Sequence, residues 1–138
     1  MPELKPEQVK AAIPELRKTR GRIIMTSSGA AVHAYSGWGA YSASKAALNS
    51  LAMALEAEES SIVTVAIRPG TVDTDMQGLI RGEHGEAMDP KDRERFADLK
   101  KNNKLLPPES PGNVIARLSL NATADLSGKF LRSVSFLC

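Results

Sequence analysis

An α/β fold with about three parallel strands and flanking helices is what the sequence predicts, and three observations predict it. Ile23-Ile24-Met25 is a short continuous apolar run bounded by Gly21 and by a Ser/Gly turn, the pattern of a strand covered on both faces. Ile62-Val63-Thr64-Val65-Ala66-Ile67 is a second such run. Between them, Tyr41 to Glu59 holds no Gly or Pro and is rich in Ala and Leu, so it reads as one long helix.

The remaining elements follow in chain order. Residues 6–19 open with a helix start at Pro6-Glu7 and carry Val9, Ala12, Ile13 and Leu16 at helical spacing. Pro14 is expected to bend this helix or mark a boundary. Lys18, Arg20 and Arg22 near its C-terminal end suit solubility and the helix dipole. In the long helix, Leu48, Leu51 and Leu55 form one apolar stripe and Ala43, Ala47 and Ala54 a second, so two faces should be covered. One face should rest on the sheet; the small-residue face suits close packing against another subunit or burial within one. Residues 75–108 turn polar and charged, with Met76, Leu79, Ile80, Met88, Phe96 and Leu99 spaced irregularly enough for short mobile helices. The charge-rich part, Asp89 to Lys104, reads as a solvated face. Ser110-Pro111 predicts a helix start with Ser as N-cap and Pro at the first position. Val114, Ile115 and Leu118 then give a stripe to lay on the sheet, the helix should end near Asn121, and Gly128-Lys129-Phe130-Leu131 reads as a last short strand.

Composition limits the function classes. A chain of 138 residues suits one domain, and a formal charge of +2 with mixed signs gives no case for nucleic acid or an anionic membrane as partner. A single cysteine, Cys138, rules out an internal disulfide framework and is compatible with a reducing cytosol. The first residues lack the apolar core of a signal peptide, and no apolar run approaches the roughly 18 residues of a membrane span, so a soluble cytoplasmic protein is expected.

Ser28 falls at or just past the C-terminal end of the first strand, where open α/β sheets bind their ligands. Tyr41 and Lys45, four residues apart, share one face of the first helical turns. A phenol alone is a poor proton donor or acceptor at neutral pH, and a nearby ammonium favours its phenolate, so the pair reads as a tuned acid/base. Ser28 could hydrogen-bond the oxygen that Tyr41 protonates. The Tyr-x-x-x-Lys spacing taken alone also fits an ordinary solvated helix face. In the loop 29–40, Tyr35 and Trp38 suit an aromatic pocket or simple loop packing, and His33 has no Asp, Cys or second His at a ligand or triad spacing.

A third element separates these readings: the second strand runs into Arg68-Pro69-Gly70-Thr71-Val72-Asp73-Thr74. Together the three motifs resemble the classical short-chain dehydrogenase/reductase family over about residues 7–131. Ser36-Gly37-Trp38-Gly39-Ala40-Tyr41 and Val72-Asp73-Thr74-Asp75-Met76-Gln77 look like a fungal branch similar to benzil and sepiapterin reductases. The resemblance implies a Rossmann-like NAD(P)-binding fold and reduction of a ketone or diketone, with NADP(H) rather than NAD(H) as cofactor. It also implies that Ser28 holds the carbonyl oxygen, Tyr41 gives the proton, and Lys45 binds the nicotinamide ribose and tunes Tyr41. Pro69 and Gly70 form the turn of a cofactor loop in which Val72 meets the carboxamide through its main chain and Thr74 bonds the carboxamide or a phosphate. By the same resemblance, residues 75–108 close over a small-molecule carbonyl substrate, no metal takes part, and the helix at 41–59 builds a homo-oligomer.

The sequence departs from the family in two places. A dinucleotide binder needs a Gly-rich turn to hold the pyrophosphate, and no such motif occurs here. The expectation is therefore a partial fold, the C-terminal catalytic half of a doubly wound sheet, starting in the helix before the serine strand. That half would lack the phosphate loop, the residues that choose between the two dinucleotides, and the asparagine of the family's catalytic tetrad. The tail, Arg132 to Cys138, also leaves the family pattern. The alternative is a catalytically silent piece that serves only as a structural or oligomer-forming unit.

Overall fold

The structure is a computed structural model that describes residues 6–82 and 85–136. Its elements are α1 (Pro6–Thr19), β1 (Arg22–Thr26), α2 (Gly39–Glu58), β2 (Val63–Arg68), α3 (Asp75–Arg81), α4 (Pro90–Lys101), α5 (Glu109–Asn121) and β3 (Phe130–Arg132). Single 3-10 turns follow β1 at Gly29–Ala31 and β3 at Ser133–Phe136. The three strands form one parallel sheet in the order β1-β2-β3.

β2 is central and covered on both faces. On one side Met25 and Ala66 pack with Val9 and Ile13 of α1 and Ala52 and Leu55 of α2. On the other, Val65 and Ile67 pack with Val114, Leu118 and Ala122 at α5. Val65, Ala66 and Ile67 are therefore all fully buried, the physical reason their run does not alternate with polar residues.

Three local expectations are corrected. α1 runs unbroken through Pro14, because Pro14 lies on the exposed side and Ile13 and Leu16 pack into the same core as Val9. The carbonyl that proline leaves without an N–H partner belongs to exposed Lys10, where water can bond it. Ala12 is exposed and is no part of the buried stripe. α5 begins before Ser110: its N-cap is Pro108, and the Ser110 N–H already donates to the Pro107 carbonyl at 3.0 Å. The locked φ of consecutive prolines starts the turn without a side-chain cap.

α2 presents two different faces. Ala52 and Leu55 are buried and Leu48 and Leu51 half-buried against the sheet, while Ala43, Ala47, Met53 and Ala54 are exposed. At its end, Glu59 takes two hydrogen bonds from Arg17, at 2.8 and 2.6 Å, which tie the C-terminus of α1 to that of α2. The Arg17 guanidinium holds the Glu59 carboxyl below its usual range.

Residues 75–105 leave the sheet and return to their starting point. The Leu106 N–H donates to the Thr71 carbonyl at 2.9 Å and the Asp73 N–H to the Leu106 carbonyl at 2.8 Å, a small parallel bridge between Val72 and Leu106. Lys100 pairs with Asp73 at 2.6 Å across the same base. Ile80, Met88 and Phe96 are buried in a cluster of their own with Met76 and Leu99; Leu79, counted with them from the sequence, is exposed. Among the described residues no helix is long and apolar enough to cross a membrane. Cys138 lies outside the described residues.

β1 pairs with β2 on one side only and so forms an edge of the sheet. A parallel edge strand carrying Ile23 and Ile24 offers unpaired backbone donors and acceptors to other chains. The 138-residue chain should accordingly form dimers, larger assemblies or aggregates. Sedimentation at low micromolar concentration checks this, and a compact monomer whose melting is cooperative and independent of concentration would contradict it.

Candidate active site

The site is built where β1 and β2 end. Ser27 directly follows β1: its N–H donates to the Ile67 carbonyl at 2.8 Å and its hydroxyl to the Lys45 carbonyl at 3.2 Å. Ser28 then turns the chain outward, and its Oγ accepts the Ala30 N–H at 3.2 Å. That contact uses an oxygen lone pair, so the Ser28 hydroxyl proton stays available to donate elsewhere.

Tyr41 and Lys45 lie one turn apart near the start of α2. The Lys45 ammonium donates to the Thr26 carbonyl at 2.9 Å and stands 5.7 Å from the centre of the Tyr41 ring. Burial pushes the pKa of Lys45 below its usual 10.5. Its helical position and its bond to β1 thus fix the ammonium between strand end and phenol.

The loop after β2 forms the opposite wall. Gly70 has φ +92, and a Cβ there would come within 2.9 Å of the Leu106 side chain, so the turn requires glycine. Leu106 bonds the residues on either side of Val72, a pattern that directs the N–H and C=O of Val72 itself away from Leu106. Thr74 is the N-cap of α3 but makes no capping bond with its side chain, which leaves its hydroxyl for other partners.

A cleft of about 490 Å³ brings these groups together, and Ser28, Tyr41, Lys45, Pro69, Gly70, Val72 and Thr74 all line it. Tyr35 and Trp38 do both of the things their sequence context allowed: they line the cleft and they pack. Trp38 stacks on Phe96 at 5.8 Å and 19° and meets the Tyr41 ring edge-on at 5.4 Å. Tyr35 lies 5.3 Å from Trp38. The loop before α2 and helix α4 therefore form one aromatic wall that ends at Tyr41. His33 is exposed on the same cleft, and no group of His, Cys, Asp or Glu among the described residues could hold a metal ion.

A model of the family described as short chain dehydrogenase matches residues 7–84, more than half of the chain. The chain belongs to the short-chain dehydrogenase family. It is 46% identical over 132 residues to an uncharacterized oxidoreductase of Schizosaccharomyces pombe, a match that covers 95% of this chain and 53% of the relative. It is 48% identical over 116 residues to an (S)-benzoin-forming benzil reductase of Saccharomyces cerevisiae, covering 81% and 44%. Sepiapterin reductases match at lower identity. The fold superposes on the crystal structure of a short-chain dehydrogenase/reductase from Saccharomyces cerevisiae with a TM-score of 0.88 at 42% identity, covering 91% of this chain and 50% of the other. The chain thus spans about half the length of the curated relatives it matches.

Several residues that line the cleft were not singled out from the sequence. Ser27, 3% exposed, positions α2 through its hydroxyl, but one serine in a Thr-Ser-Ser run carries no signal of that role. Gln77 lines the cleft at 7% exposure with an oxygen that has no hydrogen-bond partner. Its position three residues before Ile80, on the buried face of α3, could have drawn attention to it. Arg68, Arg95, Arg132 and Ser133 also reach the cleft, from three points of the chain that only the fold assembles.

The Lys45 environment gives a titration test. Because burial lowers its pKa in the folded state, the fold binds that proton less well than the unfolded chain does. The resulting cost to stability is present at neutral pH and is relieved as pH rises through the folded value toward the unfolded one. In an NMR titration of the lysine side chains, Lys45 should lose its proton at lower pH than the exposed lysines. Titration together with them would remove the argument from burial.

Proposed function

We propose that this chain carries the carbonyl-reducing centre of an NADPH-dependent oxidoreductase acting on a ketone or diketone. The observation that carries the reading is the convergence of Ser28, Tyr41 and Lys45 from β1 and α2 on one cleft with Val72 and Thr74. The free main chain of Val72 and the uncommitted Thr74 hydroxyl fit the nicotinamide end of the cofactor, while the 138 residues contain no Gly-rich turn for its pyrophosphate. When bound, the dinucleotide supplies a hydride to the carbonyl carbon.

The chain's own residues handle the oxygen. Ser28 donates its hydroxyl proton in a hydrogen bond to the carbonyl oxygen and so stabilises the negative charge that develops there. Tyr41 transfers its phenolic proton to that oxygen, which completes the alcohol. Lys45 holds a positive charge beside the phenol and offers its ammonium to the nicotinamide ribose. Residues 75–108 act as the substrate-covering segment of a single domain, with Met76, Gln77 and Phe96 facing the cleft. The aromatic wall of Tyr35, Trp38 and Phe96 suits an aryl ketone, in keeping with the benzil reductase among the relatives. Likeness to that fungal branch is the ground for NADPH over NADH.

The exposed Ala43, Ala47, Met53 and Ala54 of α2 make this helix our choice of subunit contact. We place the protein in the cytoplasm, as with a Saccharomyces cerevisiae structural neighbour described as cytoplasmic, at 39% identity and a TM-score of 0.66. A second reading, a silent structural piece, is favoured by the three-stranded sheet with β1 as its edge.

Two measurements test the proposal. In a chimaera that joins this chain to the remaining half of the benzil reductase relative, Tyr41→Phe should lower ketone reduction by about 10² to 10⁴-fold and leave the fold intact. Retention of more than about a tenth of the turnover would show that Tyr41 is not the proton donor. Calorimetry of the 138-residue chain with NADPH should find binding weaker than about micromolar, roughly −8 kcal/mol, because the pyrophosphate has no cradle. Tighter saturable binding would mean that the chain forms a phosphate site without a Gly-rich turn.

A further inference from the structure

Arg68 and Arg132 stand opposite one another in register at the C-terminal ends of β2 and β3. The pair two positions earlier in that register, Ala66 and Phe130, packs on the side of α1 and α2. Side chains alternate along a strand, so both arginines, two residues further on, leave the sheet on the side of α2. Their strands are only about 4.8 Å apart. The Arg68 side chain and the backbone at Arg132 are held in place. The Arg68 guanidinium lies 5.5 Å from the centre of the Phe130 ring, and its Nη1 is 3.9 Å from where a Cβ on Gly29 would stand. Arg132 is anchored through its neighbour Ser133, 1% exposed, whose hydroxyl donates to the Pro69 carbonyl at 2.6 Å.

Two like charges side by side on adjacent strands repel unless something of opposite charge lies between them. Among the described residues neither arginine forms an ion pair; the three pairs present lie elsewhere. Both line the cleft, as do Arg95 and Lys45, and among the described residues no aspartate or glutamate does. A cleft lined by one sign of charge attracts the opposite one, and paired guanidiniums match the two oxygens of a carboxylate or phosphate.

We propose that Arg68 and Arg132 form an oxyanion subsite in this cleft, which takes the carboxylate or phosphate of a bound ligand. It rests on reading the cleft as a ligand site and does not require hydride transfer. Because Arg68 reaches Gly29, the residue next to Ser28, a carboxylate close to a carbonyl held by Ser28 is within its range.

The test needs no cofactor. The chain has one tryptophan, Trp38, and it lines the cleft, so its emission reports binding. The probes are phenylglyoxylate and neutral 1-phenylpropane-1,2-dione, which have nearly the same shape, with inorganic pyrophosphate followed by calorimetry. At low salt the acid should bind about tenfold more tightly than the dione, and added salt should shrink the gap. Arg132→Gln, at an exposed position, should remove most of the preference, whereas Arg117→Gln, exposed on α5 away from the cleft, should keep it. Arg68→Gln should act as Arg132→Gln does; if it disturbs the fold, the Arg132 variant decides alone. Should only pyrophosphate bind with dependence on Arg132, the subsite serves phosphate and not a substrate carboxylate. Equal binding of acid and dione, together with pyrophosphate binding indifferent to Arg132→Gln, would overturn the proposal. None of these outcomes bears on the proton-donor role of Tyr41, so the two readings fail separately.

Discussion

The contact on which the site depends is the double tie between the end of β1 and the start of α2. The Lys45 ammonium donates to the Thr26 carbonyl, and the Ser27 hydroxyl donates to the Lys45 carbonyl. One residue of the helix is thus bound from its side chain and from its backbone by successive residues of the strand. The partial burial that this demands disfavours the charged amine, and the bond to Thr26 offsets part of that cost. The result is that Tyr41, four residues earlier on the same face, can take only a narrow range of positions relative to Ser28. An acid/base site needs that kind of rigidity, since a proton transfer depends on hydrogen-bond distances.

The sheet supplies the second condition. Because β2 is buried on both faces, it aligns β1 and β3 in a fixed register, and all three strands end at the same rim. Several cleft residues leave the chain at that rim: Ser28 after β1, Pro69 and Gly70 after β2, Arg132 and Ser133 at and after β3. The Ser133 hydroxyl bonded to the Pro69 carbonyl joins two of those exits, so the turn after β2 is braced by the end of the neighbouring strand. The cleft is a product of strand ends meeting, and the helices close its sides.

The excursion from α3 to α4 is a separate unit with its own small core. It leaves and rejoins the body at the bridge between Val72 and Leu106, with Lys100 and Asp73 paired beside it. Its apolar residues face the loop before α2, and contact passes through Phe96 and Trp38 to the edge of Tyr41. The excursion and the Tyr41 phenol therefore share one run of aromatic contacts. A change in how α4 sits would be felt at the Tyr41 ring before it was felt in the sheet.

By itself the sequence determined the elements whose signal is local. The uninterrupted apolar runs of β1 and β2 reflect burial on two faces, and the Ala- and Leu-rich stretch without Gly or Pro reflects helix propensity, so all three could be read directly. Tyr41 and Lys45 were legible because a helix converts a spacing of four into adjacency, and Ser28 because a strand end predicts a ligand position. Only the tertiary structure decided the rest. Pro14 breaks a helix in isolation, yet packing of Val9, Ile13 and Leu16 on one core carries α1 past it. Ser110 looked like a cap, but two prolines before it had already started the turn. Ser27, Gln77 and the pair Arg68 and Arg132 acquire meaning from contacts between residues far apart in the chain, 64 positions in the case of Pro69 and Ser133. Periodicity and spacing report what a residue does to its near neighbours; register between strands and the docking of helices are set by the whole core at once, and no short stretch encodes them.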